Sequence, residues 1–178
     1  MVVENQVAVA ARYAQEVLGA QKVAILDFDV HHGNGTQEIF YEDSSVFFAS
    51  IHQSPLFPGS GAHSETGQGA GRGTTLNFPL PAGSDGALYE LAWAQVGMAV
   101  EKFAPDLILL SAGFDAHQND PLAHMKLKTE DFADLVSVAK SWAQKVCGGK
   151  LVAVLEGGYD LPALSQSVEA TLRVLRRD

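Results

Sequence analysis

Helical and extended hydrophobic periods alternate along this chain. Val7, Ala10, Ala11, Ala14, Val17 and Leu18 recur at helical spacing over residues 5–18, and Gly19 stands where such a helix ends. Lys22–Phe28 (KVAILDF) is a short continuous apolar run, the pattern of a strand buried on both faces. Gly33 and Gly35 punctuate it, and a short helix is predicted over Thr36–Tyr41. Ser45–Ile51 (SVFFASI) reads as a second strand, and Thr74–Phe78 as a third that Pro79 and Pro81 close. Ser84 reads as an N-cap, opening a helix with Leu88, Ala92, Val96, Ala99 and Phe103 inward. Asp106–Ser111 (DLILLS) is the fourth strand. Thr129 then caps a helix that turns Phe132, Leu135, Val136, Ala139, Trp142, Ala143 and Val146 inward, until Gly148 and Gly149 stop it. Leu151–Leu155 is the fifth strand, and Asp160 opens a last helix with Leu164, Val168, Leu172 and Leu175 inward.

Strands separated by helices predict an α/β fold, a largely parallel sheet flanked by helices. Two long loops, 52–73 and 112–128, each follow a strand directly. Ligand sites of open α/β sheets lie beyond the carboxyl ends of strands, so both loops are candidate site loops.

Composition narrows the class. With 178 residues, 47% hydrophobic and 19% charged, the chain suits one domain, or a large part of one, with a real core, and disorder and coiled coil are disfavoured. A net charge of −9 disfavours a nucleic-acid partner. No apolar run reaches the roughly 18 residues of a membrane span, so no membrane partner is expected. Residues 1–15 lack the basic start and apolar run of a signal peptide. The single cysteine, Cys147, makes no internal disulfide and fits a reducing compartment, which we take as the cytoplasm.

The chemistry-bearing residues cluster at the strand ends. The first strand runs out as DFDVHHG, and the period of two puts Asp27, Asp29 and His31 on one face. Two carboxylates and an imidazole there form half of a divalent-metal site or, alternatively, a buried hydrogen-bonded cluster. The fourth strand leads into SAGFDAHQNDP, where Asp115 could complete a three-ligand site, with His117 and Asp120 competing for that place. The fifth ends in LEGGYD, where Gly157 and Gly158 allow a tight turn and Tyr159 could donate to a developing oxyanion. A GxSxG elbow and a P-loop are both absent, which disfavours a hydrolase serine and phosphate cradling.

These blocks together, DFDVHHGNGTQEIFY, SIHQSPLFPGSG, SAGFDAHQNDPL and LEGGYD, resemble the zinc-dependent histone deacetylase family. The branch they most resemble is class II-like, with the bacterial amidohydrolases and acetylpolyamine amidohydrolases. The resemblance implies the arginase/deacetylase fold. It implies Asp29, His31 and Asp115 as zinc ligands and Tyr159 as the transition-state tyrosine. Asp27 is implied to orient a catalytic histidine, and with Ser50 to contribute to a potassium site. Phe57, Leu122 and Gly158 are implied to line a channel for the acyl-lysine stem. Asn34 stands where class I members carry Asp. The implied substrates are acetylated lysine peptides or acetylated polyamines.

One departure is large. The family's acid/base pair lies in a Gly-His-His-Ala segment, and these 178 residues contain none. The chain therefore resembles the C-terminal part of a deacetylase-like domain, with the N-terminal part missing. Zinc binding, weak or absent deacetylation by this chain alone, and self-association or pairing with a complementary N-terminal half are expected. Two rivals stand beside this reading. One is a non-catalytic metal-binding fragment or interaction module. The other is an arginase-like two-metal hydrolase, suggested by Asp115-Ala116-His117 with Asp120.

Overall fold

The computed structural model describes residues 5–176. Five strands build one sheet: β1 (Val23–Asp27), β2 (Val46–Gln53), β3 (Thr75–Leu80), β4 (Leu107–Ala112) and β5 (Leu151–Leu155). Every neighbouring pair is parallel and the order is β3-β2-β1-β4-β5. β1 and β2 are buried along their whole length, which is why both read as unbroken apolar runs.

Helix α1 (Gln6–Glu16) and Phe40 of α2 (Asn34–Phe40) cover one face, packing on Val23, Ile25, Val46, Phe48 and Leu109. Helices α3 (Gly86–Phe103), α4 (Thr129–Cys147) and α5 (Leu161–Arg176) lie on the other face, over Ala24, Leu26, Ala49, Ile108 and Leu110. The indole N–H of Trp93 donates to the Leu135 carbonyl at 2.9 Å and ties α3 to α4.

The α/β class and the parallel sheet are as expected from the sequence, with local corrections. Asp85 rather than Ser84 caps α3, its Oδ1 accepting from Leu88 N, while the Ser84 hydroxyl donates to Pro81 O. Thr129 is the first residue of α4, and its N-cap is Lys128. β3 continues through Pro79 to Leu80, because it is an edge strand and the missing N–H costs no interior ladder bond. On α3 the buried stripe runs through Tyr89, Trp93, Val96 and Val100, leaving Leu88 exposed. On α5 the small residues Ala163, Ser167 and Thr171 are buried and Leu172 is exposed. Val17 and Leu18 lie beyond the end of α1 and are exposed.

Strand β5 is the second edge, hydrogen-bonded only to β4 among the described residues. Its sequence LVAVL carries no charge, yet Val152 is 48% and Leu155 55% exposed. The fifth strand lies where the sequence places it, and it forms an open apolar edge.

The chain crosses over between β3 and β4, so β1 and β4 are neighbours whose outgoing loops diverge. A crevice forms at such a switch point beyond the carboxyl ends of the strands.

Candidate metal centre

Beyond β1 and β4 the structure brings together Asp29, His31 and Asp115, with one donor atom from each lying within 4.8 Å of the others. His31 Nδ1 is 3.2 Å from Asp29 Oδ1 and 3.0 Å from Asp115 Oδ2. Donors bound to zinc at about 2.0–2.1 Å in a tetrahedron would stand roughly 3.3 Å apart, so this donor set fits the ion, with room for a fourth position.

The backbone fixes each carboxylate. Asp29 Oδ1 accepts from His31 N at 2.9 Å, and Asp29 Oδ2 accepts from Gly157 N at 2.9 Å. Asp115 is fully buried, and its Oδ1 accepts from Val30 N at 2.8 Å. These amides orient the oxygens and leave Asp115 Oδ2 toward the shared focus.

The electrostatics would suit a bound cation. Hydrogen bonds from His31 to Asp115 and Asp29 push its imidazole up to about 10, so it is protonated in the metal-free chain. Burial raises Asp115 to about 6. Burial also opposes ionisation of Asp29, but the His31 and Gly157 hydrogen bonds outweigh it and hold this carboxyl low. Asp27 is buried just beneath, and burial followed by the Asp29 charge pushes it well above the usual carboxylate range. Its Oδ1 accepts from Asp29 N at 3.0 Å.

Tyr159 follows β5, half exposed at 50%, and shares an open cleft of about 890 Å³ with Asp27, Asp29, His31, Phe57 and Glu156. Burial and then the charges of Asp115 and Asp29 raise its phenol above the ordinary value, so the hydroxyl keeps its proton and can donate. Phe57 is 78% and Leu122 52% exposed, and Gly158 adopts φ 143° beside Leu164. Ser50 sits opposite Asp27 in the β1–β2 register, fully buried, with its hydroxyl 2.9 Å from His52 Nδ1. His52 Nε2 donates to the Gly61 carbonyl, so Nδ1 of this neutral ring accepts from Ser50.

Neither His117 nor Asp120 joins the donor cluster. His117 is buried, its ring stacked on Phe132 and its Nδ1 accepting from Asn119 N. Both Asp120 oxygens are taken by backbone amides, Oδ1 by Leu122 N and Oδ2 by Tyr159 N.

Two glycines of the site have a role that spacing does not reveal. Gly157 does not have the positive φ expected of a tight turn, which falls to Gly158 alone. A Cβ at Gly157 would collide with the Asp115 and Asp29 carboxylates, and one at Gly113 with Asp29. Both glycines are needed for room. Gly157→Ala is therefore expected to weaken zinc binding by about 10–100-fold, the range for disturbing groups that orient ligands. A chelator-competition titration reads this, and unchanged affinity would show that the carboxylates can shift without cost.

Residues 3–175 match the histone deacetylase domain family. Among curated relatives, "Histone deacetylase 10, chloroplastic" of Oryza sativa subsp. japonica is 50% identical over 170 residues, 95% of this chain and 38% of its own length. The "Histone deacetylase-like amidohydrolase" of Pseudomonas aeruginosa is 43% identical over 155 residues, 86% of this chain and 41% of its own. Among solved structures, the HDA15 HD domain superposes with a TM-score of 0.87 at 38% identity, covering 97% of this chain and 49% of that one. The acetylpolyamine aminohydrolase from Burkholderia pseudomallei gives 0.83 at 33% identity, covering 93% and 48%. The chain thus spans less than half the length of each of these four proteins.

Proposed function

We propose that this chain, which belongs to the histone deacetylase family, supplies the zinc-binding and oxyanion-stabilising part of an amide hydrolase acting on acetylated amines. The observation that carries the reading is the convergence of Asp29, His31 and Asp115 below a solvent-facing tyrosine. When bound, zinc supplies a Lewis acid that polarises an acyl carbonyl and acidifies water.

The chain's own groups do the rest. Asp29, His31 and Asp115 hold the ion, which requires His31 to give up its proton. The Tyr159 hydroxyl donates to the oxygen that gains charge as the acyl carbon becomes tetrahedral. Asp27, with one carboxylate oxygen free of hydrogen bonds among the described residues, accepts from and orients an imidazole arriving from the cleft. Phe57 and Gly158, which line the cleft, are with Leu122 of the neighbouring loop our candidates for the wall against which the amine's alkyl stem lies. With Ser50, Asp27 is also our candidate for a potassium site. The substrate is an acetylated lysine peptide or an acetylated polyamine. The lone, buried Cys147 favours a reducing compartment such as the cytoplasm. Among the described residues no helix is long and apolar enough to cross a membrane.

The test is Tyr159→Phe. It is expected to leave zinc affinity unchanged and, with a polypeptide carrying the Gly-His-His-Ala segment added, to lower the hydrolysis of an acetyl-lysine peptide by about 10²–10³-fold, the range for loss of one oxyanion donor. An unchanged rate would remove the tyrosine from the chemistry. The open β5 edge supports a second reading, a metal-binding module that acts by associating with another polypeptide or with itself.

A further inference from the structure

We infer that Asp120 is a positioning residue for Tyr159. This inference rests on the reading of Tyr159 given above and adds to it a residue that neither contacts the metal donors nor reaches into the cleft. The Asp120 side chain is buried in the loop after β4 and bridges two site loops. Its Oδ2 accepts from Tyr159 N at 2.8 Å, across 39 positions of sequence. Its Oδ1 accepts from Leu122 N at 2.9 Å, two residues on, and its own N–H donates to His117 O at 2.9 Å.

The tyrosine needs such a hold. Its side chain is half exposed, and its hydroxyl makes no hydrogen bond to any described residue, so the place of the phenol follows from its backbone. On the N-terminal side, that backbone is pinned by Gly157, whose N–H donates to Asp29 Oδ2 and whose carbonyl accepts from Phe114 N. Gly158 then turns at φ 143°, a conformation that leaves the following residue free to swing. The Asp120 carboxylate removes that freedom at the next amide. Because the bond is to an ionised acceptor, it is stronger than a neutral one. The same carboxylate fixes the Leu122 amide, so one side chain sets the distance between the channel wall and the phenol.

The experiment compares wild type, Asp120→Ala, Asp120→Asn, Tyr159→Phe and the double variant Asp120→Ala/Tyr159→Phe. Each is the full zinc-loaded chain. The probe is acetohydroxamate, a small acyl chelator, measured by calorimetry beside zinc affinity and hydrogen exchange at the Tyr159 amide. Asp120→Ala is expected to expose that amide and to weaken acetohydroxamate about tenfold, the worth of a typical hydrogen bond. Zinc affinity is expected to stay at the wild-type value, and the double variant to bind no more weakly than Tyr159→Phe alone. Asp120→Asn keeps the shape and one acceptor, and gives a smaller loss if the alanine variant fails to fold. Two results overturn the inference alone: acetohydroxamate affinity unchanged by Asp120→Ala where Tyr159→Phe weakens it, or losses that add in the double variant. Acetohydroxamate affinity unchanged by Tyr159→Phe itself defeats the role given to the tyrosine, and the positioning role with it.

Discussion

Asp115→Asn removes zinc binding from this chain and leaves its fold in place. Asparagine has nearly the same shape, so its carbonyl can still accept from Val30 N, as Asp115 Oδ1 does at 2.8 Å. Its amide nitrogen then faces the focus where Asp115 Oδ2 stood 3.0 Å from His31 Nδ1. A donor N–H pointed at a cation cannot ligate it, and the negative charge is gone as well. A site of three protein ligands becomes one of two. The expected loss of zinc affinity exceeds about 100-fold, beyond what disturbing an orienting group costs. Calorimetric zinc titration reads the loss, and an unchanged far-UV circular dichroism spectrum shows that the sheet is intact. Wild-type affinity in this variant would place the metal elsewhere.

The second large effect concerns the proton acceptor. The donors and the tyrosine are in place, but these 178 residues contain no Gly-His-His-Ala segment. Asp27, Glu156 and Asp29 face that cleft, and among the described residues one Asp27 oxygen accepts no hydrogen bond. Burial raises Glu156 as it does Asp27, so both are stabilised by any imidazole or cation placed against them. A polypeptide carrying the Gly-His-His-Ala segment, the N-terminal part of a relative, is expected to raise hydrolysis of an acetyl-lysine peptide by about 10²–10⁴-fold when added to the zinc-loaded chain. The same polypeptide with both histidines changed to alanine should give no such rise. Full hydrolysis by the chain without it would mean that a group already present, such as His32, serves as the base, and no hydrolysis with it would overturn the reading of a missing acid/base half.

How far the sequence carries the structure depends on what each element packs against. β1 was legible because its neighbours on both faces and both edges are apolar, so burial alone explains the run VAIL. α4 was legible because Phe132, Leu135, Val136, Ala139, Trp142 and Ala143 all point into one core. α3 and α5 were legible in part: Ala92 and Val96 are buried, and Ala99, Phe103, Leu164, Val168 and Leu175 pack on the core, but Leu88 and Leu172 face out, since the pattern weights large apolar residues while packing weights fit. On α5 a close approach to α4 selects Ala163, Ser167 and Thr171, and Leu172 is left outside. On α3 the indole of Trp93 and the ring of Tyr89 take the core, and Leu88, next to Tyr89, is turned away.

The donor trio was legible from period-two spacing after one strand and an acid after another. The contribution of Gly113, Gly157 and Asp120 was not. What each does is set by a partner distant in sequence, such as Asp29 beside Gly113 and Gly157, or Tyr159 N at Asp120. No local motif carries that information. The expected turn at Gly157 shows the limit well, since the residue type was right and the reason was steric rather than conformational.

The order of the strands settles what folding and metal owe to each other. Asp29 and His31 are separated from Asp115 by more than 80 positions, and in an unfolded chain gathering them would cost the closure entropy of that whole loop. The β1–β4 ladder, from Val23↔Leu107 to Asp27↔Ser111, closes it with backbone bonds that involve none of the three donors. Protonated His31 then holds the two carboxylates together without an ion. The site is thus assembled as a by-product of sheet formation. Unlike a zinc finger, whose fold exists only with its ion, this chain has its three candidate donors already assembled, so zinc taken up there would displace a proton rather than create the fold.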